Sequence, residues 1–289
     1  MNSVFVVTKP IQMLNALNIK DESNKFIFVT PFANRDSFVG NARKAYPNIQ
    51  FIKRKSKISC ILSILLKQNT ISRVYLDSDF GLKIRFLLLF LVVPSYYIFE
   101  EGYASYCHLR YPSNVTDKIL LILQKILRIN NYIGSGIHCG GLFIYDKSYY
   151  KTMLPESSIR LLDFDMDYLS YIQQSPLLFN YKDNLNLSLF RCRNVVIYLT
   201  SWEVDHSISQ ILQKADYKDY IKVLKPHPHI VSNSSYNTIE HDVLLSPEVI
   251  FEYFLINVLD EANMVVVYHH GSFALHYFNN YPNLKAITI

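Results

Sequence analysis

The feature that most constrains this chain is a recurring unit. A short run of β-branched and aromatic residues is followed by a polar or turn residue, then by helix-spaced apolar positions. It first occurs at Val4-Phe5-Val6-Val7, with Thr8, Pro10 and the apolar stretch Ile11 to Leu17 behind it. Runs that are apolar at every position, rather than at alternate ones, belong to strands covered on both faces. Thr8 reads as a helix N-cap, and Pro10 suits a first helical turn, where its missing N–H would be unpaired anyway. The same pattern predicts strands at Lys25 to Val29, Ile49 to Ile52, Arg73 to Leu76 and Tyr96 to Phe99, with a helix from Ile58 to Lys67. It resumes at Asn194 to Leu199, Ile221 to Leu224 and Met264 to Tyr268. Strands alternating with helices predict parallel sheets, and 289 residues leave room for two. The expected architecture is α/β, with two Rossmann-like domains facing a central cleft. The N-terminal domain is expected at 1–155, a linker region at 156–190 and the C-terminal domain at 191–289.

Composition narrows the class. A chain that is 50% hydrophobic and 18% charged is not a disordered tail. The net charge of +5 is too small to argue for nucleic acid, and suits anionic small molecules or the anionic inner face of a membrane. Cys60, Cys107, Cys139 and Cys192 show no C-x-x-C or zinc spacing, so free thiols in a reducing compartment are expected. The longest apolar run, Phe86 to Val93, is broken by Pro94 and falls far short of the roughly 20 residues a span requires. The N-terminus lacks a basic region and a small-residue cleavage site, so a cytoplasmic location is expected. Asp117 to Ile129 has helix spacing with Lys118, Lys125 and Arg128 on its polar face. It reads either as a core-packing helix with a solvated edge or as a helix lying on the inner membrane surface.

Open α/β sheets bind ligands at the carboxyl ends of their strands, and three polar groups fall there. Glu100-Glu101-Gly102 follows Tyr96 to Phe99 directly. Adjacent carboxylates at a strand end make a usable general base, and Gly102 permits a sharp turn beside a ligand. In Lys225-Pro226-His227-Pro228 the prolines exclude helix and hold a histidine that can meet a phosphate, with Lys225 adding positive charge. His269-His270-Gly271-Ser272 reads as strand, turn and helix start, a place for anions. Asp77-Ser78-Asp79 and Asp163 to Asp167 match a loose D-x-D theme, and the second reads more simply as helix N-terminal charge. The glycines around His138-Cys139 read as turns. No P-loop, G-x-G-x-x-G or G-x-S-x-G pattern occurs.

The order acid-acid-Gly, His-Pro, then Ser after a strand resembles the bacterial sialyltransferases of the GT-B type. These carry a D/E-D/E-G motif, an HP motif and a Ser-Ser/Thr motif. The opening Thr8-Lys9-Pro10-Ile11-Gln12-Met13-Leu14-Asn15-Ala16 is similar to the start of glycosyltransferase family 52 members. The resemblance implies transfer of sialic acid from a CMP-sialic acid donor to a glycan acceptor on the bacterial surface, with inversion. Glu100 would be the base and Glu101 its support. His227, held by Pro228, would meet the departing CMP phosphate, and Lys225, Gly271 and Ser272 would bind it. Thr8, Pro10, Gln12 and Gly102 would lie on the acceptor side. A monophosphate leaving group calls for no metal clamp, so no metal or other cofactor is expected. The third motif is matched by one hydroxyl, since Gly271-Ser272 stands where two are usual. Two alternatives are a transferase using CMP-Kdo or a UDP-sugar, and a non-catalytic component of polysaccharide assembly.

Overall fold

The computed structural model describes residues 2–32, 35–91, 95–108, 122, 131–175, 186–201, 205–227, 239–246 and 249–289. The chain forms two compact units, Met1–Asp167 and Tyr168–Ile289. Each is built on a parallel sheet, so the α/β class and the two Rossmann-like units are as the strand runs predict.

The first unit holds β1 (Asn2–Val7), β2 (Asn24–Val29), β3 (Gln50–Lys53), β4 (Ile71–Leu76), β5 (Tyr96–Phe99), β6 (Cys139–Phe143) and β7 (Leu161–Leu162). Their order is β3-β2-β1-β4-β5-β6-β7, all parallel. Its helices are α1 (Pro10–Leu17), α2 (Arg35–Ala45), α3 (Lys57–Lys67), α4 (Leu82–Leu88) and α5 (Lys147–Met153). Phe5, Val6 and Val7 in β1 are fully buried, which is why that run is continuously apolar. Phe5 stacks on Tyr75 of β4 at 4.3 Å, and Tyr75 stacks in turn on Tyr97 of β5. α3 begins with a reciprocal cap: the Ser56 hydroxyl accepts from Ser59 N–H, and the Ser59 hydroxyl accepts from Ser56 N–H.

The second unit holds β8 (Asn194–Leu199), β9 (Ile221–Lys225), β10 (Val243–Leu244), β11 (Met264–His269) and β12 (Leu284–Thr288), in the order β10-β9-β8-β11-β12, all parallel. Its helices are α6 (Tyr168–Gln174), α7 (Ile208–Leu212) and α8 (Phe251–Glu261). α8 buries Phe254, Leu255, Ile256 and Val258 completely. The stretch 156–190 contributes β7 to the first unit and α6 to the second.

Several local expectations change. Thr8 does not cap α1: Lys9 occupies that position with extended backbone and no capping side chain, while the Thr8 hydroxyl is used elsewhere. Gly140 and Gly141 form a strand, not turns, because β6 passes close to its surroundings. A Cβ on Gly140 would lie 2.7 Å from the Ser95 hydroxyl oxygen. The segment after Ser272 is a 3-10 helix, Phe273–Phe278. The basic stretch Asp117 to Ile129, Ile122 apart, lies outside the described residues. No helix among the described residues is long and apolar enough to cross a membrane.

Candidate active site

In the first sheet the strand order reverses between β1 and β4, the place where such sheets open a crevice at their carboxyl edge. Here side chains occupy it. Thr8 Oγ1 lies 2.7 Å from Asp77 Oδ2, and the Lys57 ammonium pairs with the other Asp77 oxygen. Gln12 is fully buried, and its Oε1 accepts from the Thr8 N–H at 2.7 Å. Its amide nitrogen has no hydrogen-bond partner. Asp79, also fully buried, accepts from Gly134 N–H at 2.8 Å, Gly136 N–H at 3.0 Å and the Tyr96 hydroxyl at 2.9 Å. Both carboxylates of Asp77-Ser78-Asp79 are therefore occupied by groups of the protein itself. Among the described residues no group of three or more His, Cys, Asp or Glu is arranged to hold a metal ion.

The Glu100-Glu101-Gly102 motif leaves β5 at the same edge, and its two acids have opposite surroundings. Glu100 is 2% exposed. Its Oε2 accepts from the Tyr106 hydroxyl at 2.8 Å and the Tyr145 N–H at 3.0 Å, while its carbonyl accepts from Asn15 of α1. The Tyr145 hydroxyl donates to Asn15 Oδ1, and burial holds that phenol well above its usual pKa. Glu101 is partly exposed and lies 2.8 Å from the Lys9 ammonium. Its N–H donates to the Ser105 hydroxyl. Gly102 at φ +108 and ψ −145 turns the chain into the 3-10 helix Tyr103–Tyr106. That conformation is essentially restricted to glycine. Thr8, Pro10, Gln12 and Gly102 thus share one sheet edge with both acids, although Gln12 is enclosed.

In the second sheet the order reverses between β8 and β11. Thr200, just past β8, is the residue that sequence reasoning missed. Its N–H donates to the Lys225 carbonyl, and its hydroxyl accepts from the His227 N–H at 2.8 Å. The signal was present, since Thr200 stands directly behind an apolar run as Thr8 does. His227 is half-buried at the end of β9, and Pro228 lies outside the described residues. Lys225 is 2% exposed and donates to the Pro226 carbonyl at 2.9 Å. Burial pushes its pKa down to about 8, against the opposing pull of the Glu252 carboxylate on α8. Glu252 itself is pushed up by burial and accepts from the Tyr168 hydroxyl at 2.9 Å.

Past β11, the Ser272 N–H donates to His269 Nδ1 at 3.0 Å, which puts the His269 proton on Nε2. Burial, then the neighbouring His270, lower the His269 pKa. His270 Nε2 lies 3.1 Å from the Tyr198 hydroxyl, and Gly271 at φ +71 turns the chain towards Ser272. Ser272 stands at the N-cap of the 3-10 helix and makes no capping bond. Burial pushes the Cys139 thiol beside His138 up strongly, which disfavours its thiolate.

No protein-family model matches the sequence, and no curated protein matches it. Solved structures do match its fold. A Listeria monocytogenes protein assigned as a UDP-N-acetylglucosamine 2-epimerase superimposes with a TM-score of 0.58 at 10% identity, covering 94% of this chain and 75% of its own. Anabaena HepE in complex with UDP-glucose gives 0.56 at 9%, covering 100% and 85%. The wall teichoic acid polymerase TagF, as an H444N variant soaked with CDPG, gives 0.52 at 12%, covering 98% and 68%. At such identities the likeness establishes the fold, two Rossmann-like domains of the GT-B type.

Proposed function

We propose that this chain is an inverting glycosyltransferase that moves sialic acid from CMP-sialic acid to a terminal galactose-type hydroxyl of a bacterial surface glycan. Lipopolysaccharide, O-antigen or capsule would be the acceptor, and α-2,3 the linkage. One observation carries the reading. Three motifs far apart in sequence each end at the carboxyl edge of a parallel strand: Glu100-Glu101-Gly102 after β5, Lys225-Pro226-His227 at β9, and His270-Gly271-Ser272 after β11.

The surroundings of the two acids favour Glu101 as the base, reversing the roles that the family resemblance implies. Glu101 meets solvent beside Lys9, whereas Glu100 is enclosed and anchors the strand end. The Glu101 carboxylate would take the acceptor hydroxyl proton as that oxygen bonds to the anomeric carbon. The bond from that carbon to the CMP phosphate breaks, and CMP leaves with its electron pair. His227, pinned by Thr200, and Ser272 would receive the phosphate. Lys225 would act through the Pro226 carbonyl, as a positioning residue.

A second reading, a different nucleotide-sugar donor, is favoured by the UDP-glucose bound to HepE and the CDPG soaked into TagF. Calorimetry with CMP, CDP and UDP, each with EDTA or magnesium, separates the two when paired with a CMP-release assay on galactose-terminated acceptors. The first reading expects CMP binding in EDTA and CMP release. Tight UDP binding without CMP binding transfers the assignment to the second, and absence of any nucleotide binding overturns both.

A further inference from the structure

α3 is apolar on both its faces. Cys60, Ile61 and Ile64 are buried against the sheet. On the outer side Ile58, Leu62 and Leu66 follow one another at four-residue intervals, and Leu66 is 88% exposed. A helix at a protein surface ordinarily presents polar residues there. α4 packs beside α3 and exposes apolar side chains of its own. Phe86 is 61% exposed and Phe90, just past the helix, 57%, and the two rings meet edge to face at 5.2 Å. Five large exposed apolar side chains thus stand on or directly behind two adjacent helices, where scattered single ones would need no explanation.

The exposed charge of the segment that carries this stripe has one sign, although Asp36 of α2 pairs with its Lys53. Between Gln50 and Leu91 there are eight Lys or Arg and two Asp, a surplus larger than the +5 of the whole chain. Both aspartates, Asp77 and Asp79, are buried and face Lys57 and Arg85. Exposed lysines flank the stripe along the chain: Lys55 ahead of α3, Lys67 at its end beside Leu66, and Lys83 one turn before Phe86. Apolar side chains ringed by lysines, with no exposed carboxylate in the segment, complement a surface that is oily inside and negative outside.

We propose that the outer face of α3 and α4 docks this protein on an anionic lipid bilayer, with Leu62, Leu66, Phe86 and Phe90 entering the acyl boundary and Lys55, Lys67 and Lys83 meeting lipid phosphates. Docking by this face requires neither the basic stretch at Asp117 to Ile129 nor a particular donor. Lysine stems long enough to lie along apolar surface allow both contacts at once.

The test is co-sedimentation of the full chain with vesicles of phosphatidylcholine alone or with 30% phosphatidylglycerol, at roughly 50 and 300 mM salt. Binding at least tenfold tighter to the anionic vesicles, weakening with salt, is expected. Lys67→Glu with Lys83→Glu should reduce it at least tenfold. Leu66→Glu with Phe86→Glu should abolish it, with circular dichroism and melting temperature unchanged because both side chains are exposed. Equal binding by wild type and both double variants, or no binding by the wild type, overturns the proposal. A dimer in light scattering that Leu66→Glu dissolves, without vesicle binding, assigns the face to a second copy of the chain instead.

Discussion

Glu100 and Glu101 show how little adjacency says about chemistry. Read from sequence, the pair is one motif, in which the family resemblance makes Glu100 the base and Glu101 its support. Folded, strand alternation sends them to different surroundings: one accepts from a phenol and a backbone N–H in the interior, the other pairs with Lys9 at the surface. Their substitutions should therefore separate. Glu101→Gln should lower kcat by 10²-fold or more with an unchanged melting temperature, as expected for loss of a general base. Glu100→Gln should lower stability by about 1.5–3 kcal/mol, through weakened bonds to Tyr106 and Tyr145, with a smaller loss of kcat. Urea denaturation beside initial-rate kinetics distinguishes the two patterns; equal kinetic loss without destabilisation would return the base to Glu100. The strand-end placement of this pair was legible because it stands directly behind an apolar run. It did not reveal which acid is buried, since that depends on Tyr106, Tyr145 and Asn15, which strand and helix packing bring in from elsewhere. The burial of Lys225 was hidden for the same reason. Its sequence position offers a cation for an anion, and β9, an interior strand, takes that side chain inward.

At the scale of elements, the continuous apolar runs were nearly complete guides. β1, β2, β4, β5, β8, β9 and β11 all form where β-branched and aromatic residues cluster. The elements that went unread are those whose strand character comes from their neighbours. β6 contains Gly140 and Gly141 and owes its place to the close approach of Ser95 and Arg160. β7 and β10 are two-residue edges with no periodicity to detect. Gly102 represents the opposite case, a glycine whose need is conformational. A Cβ there would meet nothing within 4 Å, yet φ is +108. Gly102→Ala should therefore cost about 1–3 kcal/mol from backbone strain alone, read as a lower urea midpoint. A neutral result would mean that the segment relaxes to another backbone conformation without cost.

For the whole molecule, the buried Lys225 makes stability depend on alkaline pH. Its pKa is about 8 in the folded chain against 10.5 when free, so between those values the unfolded chain binds more protons. Stability should rise as pH climbs through that window, by on the order of 3 kcal/mol, an increment that a Lys225→Met variant lacks. Denaturation midpoints of the two proteins at pH 7, 8, 9 and 10 would show it, and parallel curves would refute it. The two sheets also differ in what they leave open at equivalent places. Both reverse strand order beside a threonine, Thr8 in one and Thr200 in the other. The first threonine is locked to Asp77, itself held by Lys57, so admitting a ligand there would mean breaking a desolvated ion pair. The second spends its hydroxyl on a backbone N–H and so presents a histidine. At equivalent places, then, one threonine is tied into a buried ion pair and the other into the backbone that carries a histidine. The two reversal points thus share a topology and differ in the chemistry placed beside them.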